Sequence, residues 1–495
     1  MIARRKAAVR DPPGWGPGAT LAGMSDDLLF VPAVGQVSML RSGEISAREL
    51  LAAHWARIDL IDPQVNAIIT RAPEIAAELA RAADDRHARG AVAGPLDGLP
   101  VAHKDLVDTA GIRTTSGSPI DSDRVPATNA LIVDRLQAAG AVTVGKTNTP
   151  EFGAGSQTFN RVFGATRNPY DLSKTVGGSS GGAAAALASG MLPIADGSDM
   201  GGSLRNPAAF CNIVGFRVSP GRVPSYPKEA AWSFLSVEGP MARTVGDVAL
   251  MLQTMAGPDP RSPISLQDPP TLFAEPLDVD LAGLRVAWSP NLGGLPIAPD
   301  VAAALRGVPA VFEELGWQVT EATPDLSDAA EIFQVLRAWQ YEVGLGSVYD
   351  AHYDDLKDTI RWNVEKARNL TVADHAAASA KQAALFHRVR EFFRTFDVLA
   401  CPTVQVAPFD VDVEWIREID GVAMATYIDW MRSCCDVTVM GCPAISVPGG
   451  FTATGLPIGL QLVGKPRDDL GLLRVAHAFE AATEFWKRRP AAITE

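Results

Sequence analysis

Two glycine-flanked serine turns and one lysine supply the residue types from which nucleophilic catalysis is assembled. The first turn is Gly177-Gly178-Ser179-Ser180-Gly181-Gly182, followed at once by the apolar run Ala-Ala-Ala-Ala-Leu-Ala. The second is Asp-Gly-Ser-Asp-Met-Gly-Gly-Ser-Leu-Arg-Asn-Pro, residues 196–207. There Gly201 and Gly202 leave Ser203 with little steric cover and permit backbone angles that side chains oppose. Consecutive N–H groups of Met200, Gly201, Gly202 and Ser203 can converge on one point, which is how a protein holds a developing oxyanion. Lys104 ends the apolar stretch Leu-Pro-Val-Ala-His-Lys. A lysine at that position is either a salt-bridge partner or a buried base, and a serine hydroxyl becomes a useful nucleophile only when a base takes its proton.

Three other readings of these stretches are weaker. Gly140–Thr147, "GAVTVGKT", fits the phosphate-loop pattern. That pattern needs its four middle residues as a loop and a helix afterwards. Here Ala141–Val144 read as a strand, and Pro150 interrupts the helix that should come next. The first turn also fits the nucleophile-elbow pattern G-x-S-x-G, centred on Ser179 or Ser180. An elbow needs a buried strand before it and a downstream Asp and His. "DLSKTV" is a poor strand, and most of the seven histidines sit in helix-like segments beside charged or alanine-rich neighbours. A Ser-His-Asp esterase therefore stays an alternative without support. A flexible linker is disfavoured because a helix apolar all round is normally buried, which pins the turn that precedes it.

The elements that position these residues alternate between strand and helix. "SARELLAAHWARIDLI" opens with Ser46 and Glu49 at capping-box spacing, and Leu51, Trp55 and Ile58 then share a helical face. A second helix is predicted over 73–88. Short apolar strands follow at "LPVAHK", "AVTVG", "LRVAWS", "WQVTEA", "DVLACP" and "AISVPGGF", with helices "NALIVDRLQAAG" and "VAAALRGVPAVFEELG" between them. Residues 326–396 read as helical. This alternation predicts an α/β fold with a largely parallel or mixed sheet covered by helices, and a central mixed β-sheet with helices on both faces is the expectation adopted. The chain reads as a loose extension over residues 1–29 and a single large domain over 30–490, with 326–430 a variable helical region at the substrate pocket. The extension is basic but has no apolar core, so no signal peptide is expected, and Met24 is an alternative start.

Forty-four Lys and Arg against 57 Asp and Glu leave a formal charge of −13. Nucleic-acid binding depends on a basic excess, so no nucleic-acid partner is expected. No run of about 18 apolar residues occurs, so no membrane span is expected either. The five cysteines, Cys211, Cys401, Cys434, Cys435 and Cys442, form no C-x-x-C pair. They suit a reduced, cytoplasmic protein better than a disulfide framework or a metal site.

Three segments taken together resemble the amidase signature family: "GLPVAHKDLVDTAG", "GGSSGGAAAALASG" and "DGSDMGGSLRNPAAFCNIVGFR". The likeness extends to "VGKTNTPEFG", "FGATRNPYDL", "GPMARTVGDVALML", "CPAISVPGGF" and "GLPIGLQLVG". It covers about residues 33–480 and is weakest between about 325 and 400. The resemblance implies a Ser–cis-Ser–Lys triad with Ser203 as nucleophile, Ser179 as the bridging serine behind a cis peptide bond, and Lys104 as base. It further implies Ser180, Asp199 and Arg205 as supporting residues and Met200–Ser203 as the oxyanion donors. Neither metal nor cofactor is implied. The substrate is expected to be a small amide or carbamate, with water as the second reactant and the protein a monomer or homodimer. Phe152, Phe159, Trp232, Tyr427 and Trp430, with aromatics from 339–362, are candidate pocket walls. They tilt the expectation toward apolar or aryl amides, anilides and urethanes. A glutaminase-type subunit of a tRNA-dependent amidotransferase is the alternative within the family. Asn206, where glutamine is usual, and the loop "PKEAAWSFLSVEGP" depart from that subunit's pattern.

Overall fold

The capping box read at Ser46 and Glu49 starts the helix Ala47–Val65 in the computed structural model, which describes residues 27–493. Ser46 N–H donates to Glu49 Oε2 at 2.9 Å and Glu49 N–H to Ser46 Oγ at 3.2 Å. The next helix is Pro73–His87. Residues 1–26, most of the expected extension, lie outside the described residues, as does Met24. The expected boundary at residue 30 moves back, because Leu29 is buried in the core and its carbonyl accepts from Arg243.

Among the described residues, eleven strands form the main sheet. In chain order they are β1 (Ile68–Arg71), β2 (Pro100–Lys104), β3 (Val142–Thr147), β4 (Ile194–Asp199), β5 (Val214–Arg217), β6 (Val237–Ala242), β7 (Arg285–Trp288), β8 (Gln318–Glu321), β9 (Val398–Pro402), β10 (Ala444–Phe451) and β11 (Pro457–Val463). Their spatial order is β1-β3-β2-β4-β6-β5-β10-β11-β9-β7-β8. Neighbours β3, β2 and β4 run parallel, as do β9, β7 and β8, while the intervening pairs are antiparallel. The sheet is therefore mixed, one of the two arrangements that the alternation allows, and helices flank it. The parallel trio puts the C-terminal ends of β2 and β4 side by side, with Lys104 and Asp199 as their last residues.

The alanine run forms the helix Gly181–Ala188, every residue of which is buried. It lies against β2, β3, β4 and β6. Gly182 shows why glycine precedes it: a Cβ there would stand 2.3 Å from the backbone N of Asn148 and 2.8 Å from the carbonyl of Ala67. Lys146 sits inside strand β3, where its ammonium donates to Val107 O and Thr109 Oγ1. That residue is no part of a phosphate loop. "DLSKT" is a strand, but of a small hairpin with Arg167–Asn168 rather than of the main sheet. The 326–396 stretch forms the helices Ala329–His352, Asp358–Arg368 and Val372–Thr395. Among the described residues, no helix is long and apolar enough to cross a membrane.

Candidate active site

Strand β2 delivers Lys104 to its C-terminal end with no solvent exposure. Its Nζ lies 2.7 Å from Ser179 Oγ, 3.0 Å from Ser180 Oγ and 3.0 Å from Ser198 Oγ. Among the described residues no carboxylate pairs with it, so the salt-bridge alternative fails. Burial drives the amine down to about 7 from an ordinary 10.5, against the opposing pull of Asp199 and Asp196. The Gly178–Ser179 peptide is cis. Ser180 N–H donates to Ser203 O at 3.2 Å, which ties the two serine turns together.

Strand β4 and the turn after it deliver the second cluster. Asp199 is fully buried and takes Arg205 through two bonds, Nη2 to Oδ1 at 2.9 Å and Nε to Oδ2 at 3.0 Å. Arg217, at the end of β5, donates to Asp199 O at 2.5 Å. Burial works to raise the Asp199 carboxyl, and the two guanidiniums overcome it and hold the group well below the usual carboxylate range. The same carboxylate accepts from Gly202 N–H at 2.9 Å and Leu204 N–H at 3.2 Å. Gly202 is thereby corrected as an oxyanion donor, since its N–H is turned into the protein. Met200, Gly201 and Ser203 line the cavity and Gly202 does not. Cys434 and Cys435 pack behind this turn: a Cβ on Gly202 would meet Cys434 Cβ at 2.7 Å, and one on Gly201 would meet Phe333 at 2.8 Å and Cys435 Sγ at 3.1 Å.

The cavity in front of these groups holds about 410 Å³. Ser179, Ser198 and Ser203 lie on its lining with Phe152, Leu106 and Met431, and the helix Ala329–His352 adds Arg337, Gln340, Tyr341, Leu345 and Val348. Of the five aromatic walls expected by number, only Phe152 is among the lining residues, and Tyr341 joins it from the expected 339–362 aromatics. Phe159 lines a neighbouring surface cavity, with Lys357 Nζ 4.1 Å above its ring. Trp232 is 78% exposed. Trp430 is consumed by an aromatic cluster with Phe210 and Phe409. Tyr427 is buried, edge-on to Trp362, and its hydroxyl accepts from Asn363. The helical region serves the cavity through its first helix, while 358–430 adds nothing to the lining.

Ser198, Asp196, Arg217 and Arg337 escaped the sequence reading. Strand alternation was the available signal for two of them, because i and i+2 share a face and so group Asp196 with Ser198. Asp196 accepts from Lys104 N–H at 2.9 Å and bonds His103 Nδ1 at 2.5 Å. The other nitrogen of His103 bonds Thr143 Oγ1 at 3.1 Å. This His–Asp pair meets a threonine and not a serine.

A buried lysine on three serines thus stands beside a glycine-rich turn at the edge of a cavity on a mixed sheet. The chain belongs to the amidase signature family: the amidase family model matches residues 49–473, and the protein is an amide C–N hydrolase. It is 36% identical to an acylamidase of Rhodococcus erythropolis, over 94% of this chain and 98% of that protein. It is 37% identical to a glutamyl-tRNA(Gln) amidotransferase subunit of Moorella thermoacetica, over 94% and 99%. A bacterial aryl acylamidase structure of the same family superposes with a TM-score of 0.86 at 28% identity, covering 92% of this chain and 98% of that one.

Proposed function

We propose that the protein hydrolyses small amides carrying an apolar or aryl group, anilides foremost and urethanes with the same C–N bond, through an acyl-enzyme on Ser203. The observation that carries this reading is Lys104 Nζ, buried, with no ion-pair partner among the described residues and 2.7 Å from Ser179 Oγ, behind a cavity that both Ser179 and Ser203 line. A neutral amine has two N–H donors and one lone pair. Three serines surround it, so Ser180 and Ser198 accept the two N–H bonds and the lone pair is left for the Ser179 hydroxyl. Ser203 Oγ then attacks the carbonyl carbon as its proton passes to Ser179, whose own proton moves to Lys104. The N–H groups of Met200, Gly201 and Ser203 are the donors for the resulting oxyanion. On collapse the C–N bond breaks and the proton returns through Ser179 to the leaving nitrogen. Water, deprotonated along the same path, releases the acid and restores Ser203.

The cavity's Phe152, Leu345, Val348 and Met431 favour an apolar substrate body. The acylamidase relative and the aryl acylamidase structure point the same way. The amidotransferase relative makes glutamine the one polar amide to include. A hydrolysis screen of aliphatic amides, anilides, carbamates and glutamine tests the reading. Anilides are expected as the best substrates, and Ser203→Ala is expected to abolish turnover with the melting temperature unchanged. Retained turnover in Ser203→Ala removes Ser203 as nucleophile.

A further inference from the structure

Arg337 is a buried cation on the cavity lining that no carboxylate among the described residues balances. It is 5% exposed, and among the described residues no acidic side chain lies within ion-pair distance. Its guanidinium donates to Asn363 Oδ1 through Nη1 and to the Tyr341 hydroxyl at 3.0 Å through Nη2. It also stacks on two rings, 4.5 Å from the centroid of Tyr341 and 5.3 Å from that of Tyr427. Asn363 is held in turn by its bond to the Tyr427 hydroxyl at 2.7 Å. All of these partners are neutral. Arginine stays charged in any protein environment, and buried charges are ordinarily paired. The nearby Lys366 amine is held below its ordinary value by burial and by the charge of Arg337, with Asp429 opposing, so the neighbourhood carries a surplus of positive charge. The acidic residue on the same lining, Glu229, is exposed to solvent, where water screens it.

We propose that Arg337 is the specificity residue of this cavity and takes a carboxylate borne on one arm of the substrate. The preferred substrate is then an amide with an apolar body, its carbonyl at Ser203 and its far end anionic. Two guanidinium N–H bonds go to Asn363 and Tyr341, which orients the fork and leaves further N–H groups for the substrate; bidentate carboxylate binding suits arginine and not lysine. This rests on the amidase reading for which end of the substrate reacts, but not for the charge that the cavity selects.

Matched amides separate the two. Anilides of straight-chain dicarboxylic acids of graded length are compared with anilides of monocarboxylic acids of equal length, and a second series puts the carboxylate on the amine arm. At the best length, kcat/KM in the wild type is expected to be at least ten times higher for the carboxylate member. Equilibrium binding to Ser203→Ala, which needs no turnover, is expected to show the same preference. Arg337→Met is expected to cut the carboxylate-to-neutral ratio at least tenfold and Arg337→Lys to restore part of it. A ratio near one at every length in both series overturns the proposal without any variant, and so does an equal loss on both members in Arg337→Met, the mark of a merely structural residue. If the wild type binds with the carboxylate preference but hydrolyses no anilide, the anilide reading of the proposed function fails and the assignment of Arg337 stands.

Discussion

At the scale of single residues, the proposed mechanism turns on one proton. Lys104 is useful as a base only when neutral, and burial brings its pKa down to about 7 from an ordinary 10.5. Below that value the ammonium donates to all three serines and has no lone pair for Ser179. Above it the free base dominates. The log of kcat/KM is therefore expected to rise with unit slope from acid pH, bend near pH 7 and stay level through mildly alkaline pH. An acid-favouring profile counts against a lysine base. Lys104→Ala is expected to lower kcat by about 10²–10⁴, the usual contribution of a positioned base, and full activity in that variant excludes the role. Asp199 acts at the same scale without entering the chemistry. Clamped by Arg205 and Arg217, it holds Gly202 and Leu204 by their N–H groups and so fixes the curvature of the turn that presents Ser203.

At the scale of elements, close backbone approach sets the positions. The helix Gly181–Ala188 runs so near the end of β3 that Gly182 N–H donates to Asn148 O at 3.2 Å. Glycine to alanine inside an exposed helix is ordinarily worth about 0.5–1 kcal/mol of added stability. Here the new Cβ meets backbone atoms at 2.3 and 2.8 Å, which cannot rotate away. Overpacking of that kind costs about 1–3 kcal/mol, so Gly182→Ala is expected to destabilise by about 1–2 kcal/mol in urea unfolding. A stabilised variant would show that the helix is free to shift. The same closeness explains what the sequence disclosed. The serine turns are short and local, so their residue types announce their geometry, and β2 and the alanine helix follow from runs of apolar residues. The cavity wall is different. Arg337 and Tyr341 reach it because the helix Ala329–His352 presents that face after packing across the chain. Trp430 and Tyr427 look equally eligible by type, yet tertiary packing turns them into the core. Periodicity identifies a buried face but not what lies opposite it.

Across the whole molecule, distant segments are joined through the start of one helix, Val245–Met255. Just before it, Arg243 donates to Leu187 O and Leu192 O behind the alanine helix and to Leu29 O and Val31 O near the first described residues. Val245 N–H donates to Glu480 Oε1 at 2.9 Å, which brings in the helix Asp469–Thr483 from the far end of the chain. Glu480 is buried, and burial pushes its carboxyl up to about 8, with the charge of Asp247 adding to the rise and the Val245 bond opposing it. The folded protein therefore keeps this proton at pH values where the unfolded chain, near 4.5, has released it. Where the native state binds more protons than the unfolded state, stability falls as pH rises. The contribution of Glu480 is thus fully present below about pH 4.5 and is lost as pH approaches 8. Glu480→Gln keeps an oxygen acceptor for Val245 and has no proton to lose. Its melting temperature, taken relative to the wild type at each pH, is expected to climb steadily between about pH 5 and pH 8. A pH-independent difference would mean that Glu480 titrates alike in the folded and unfolded chains, and that this joint between the ends of the molecule stays open to water.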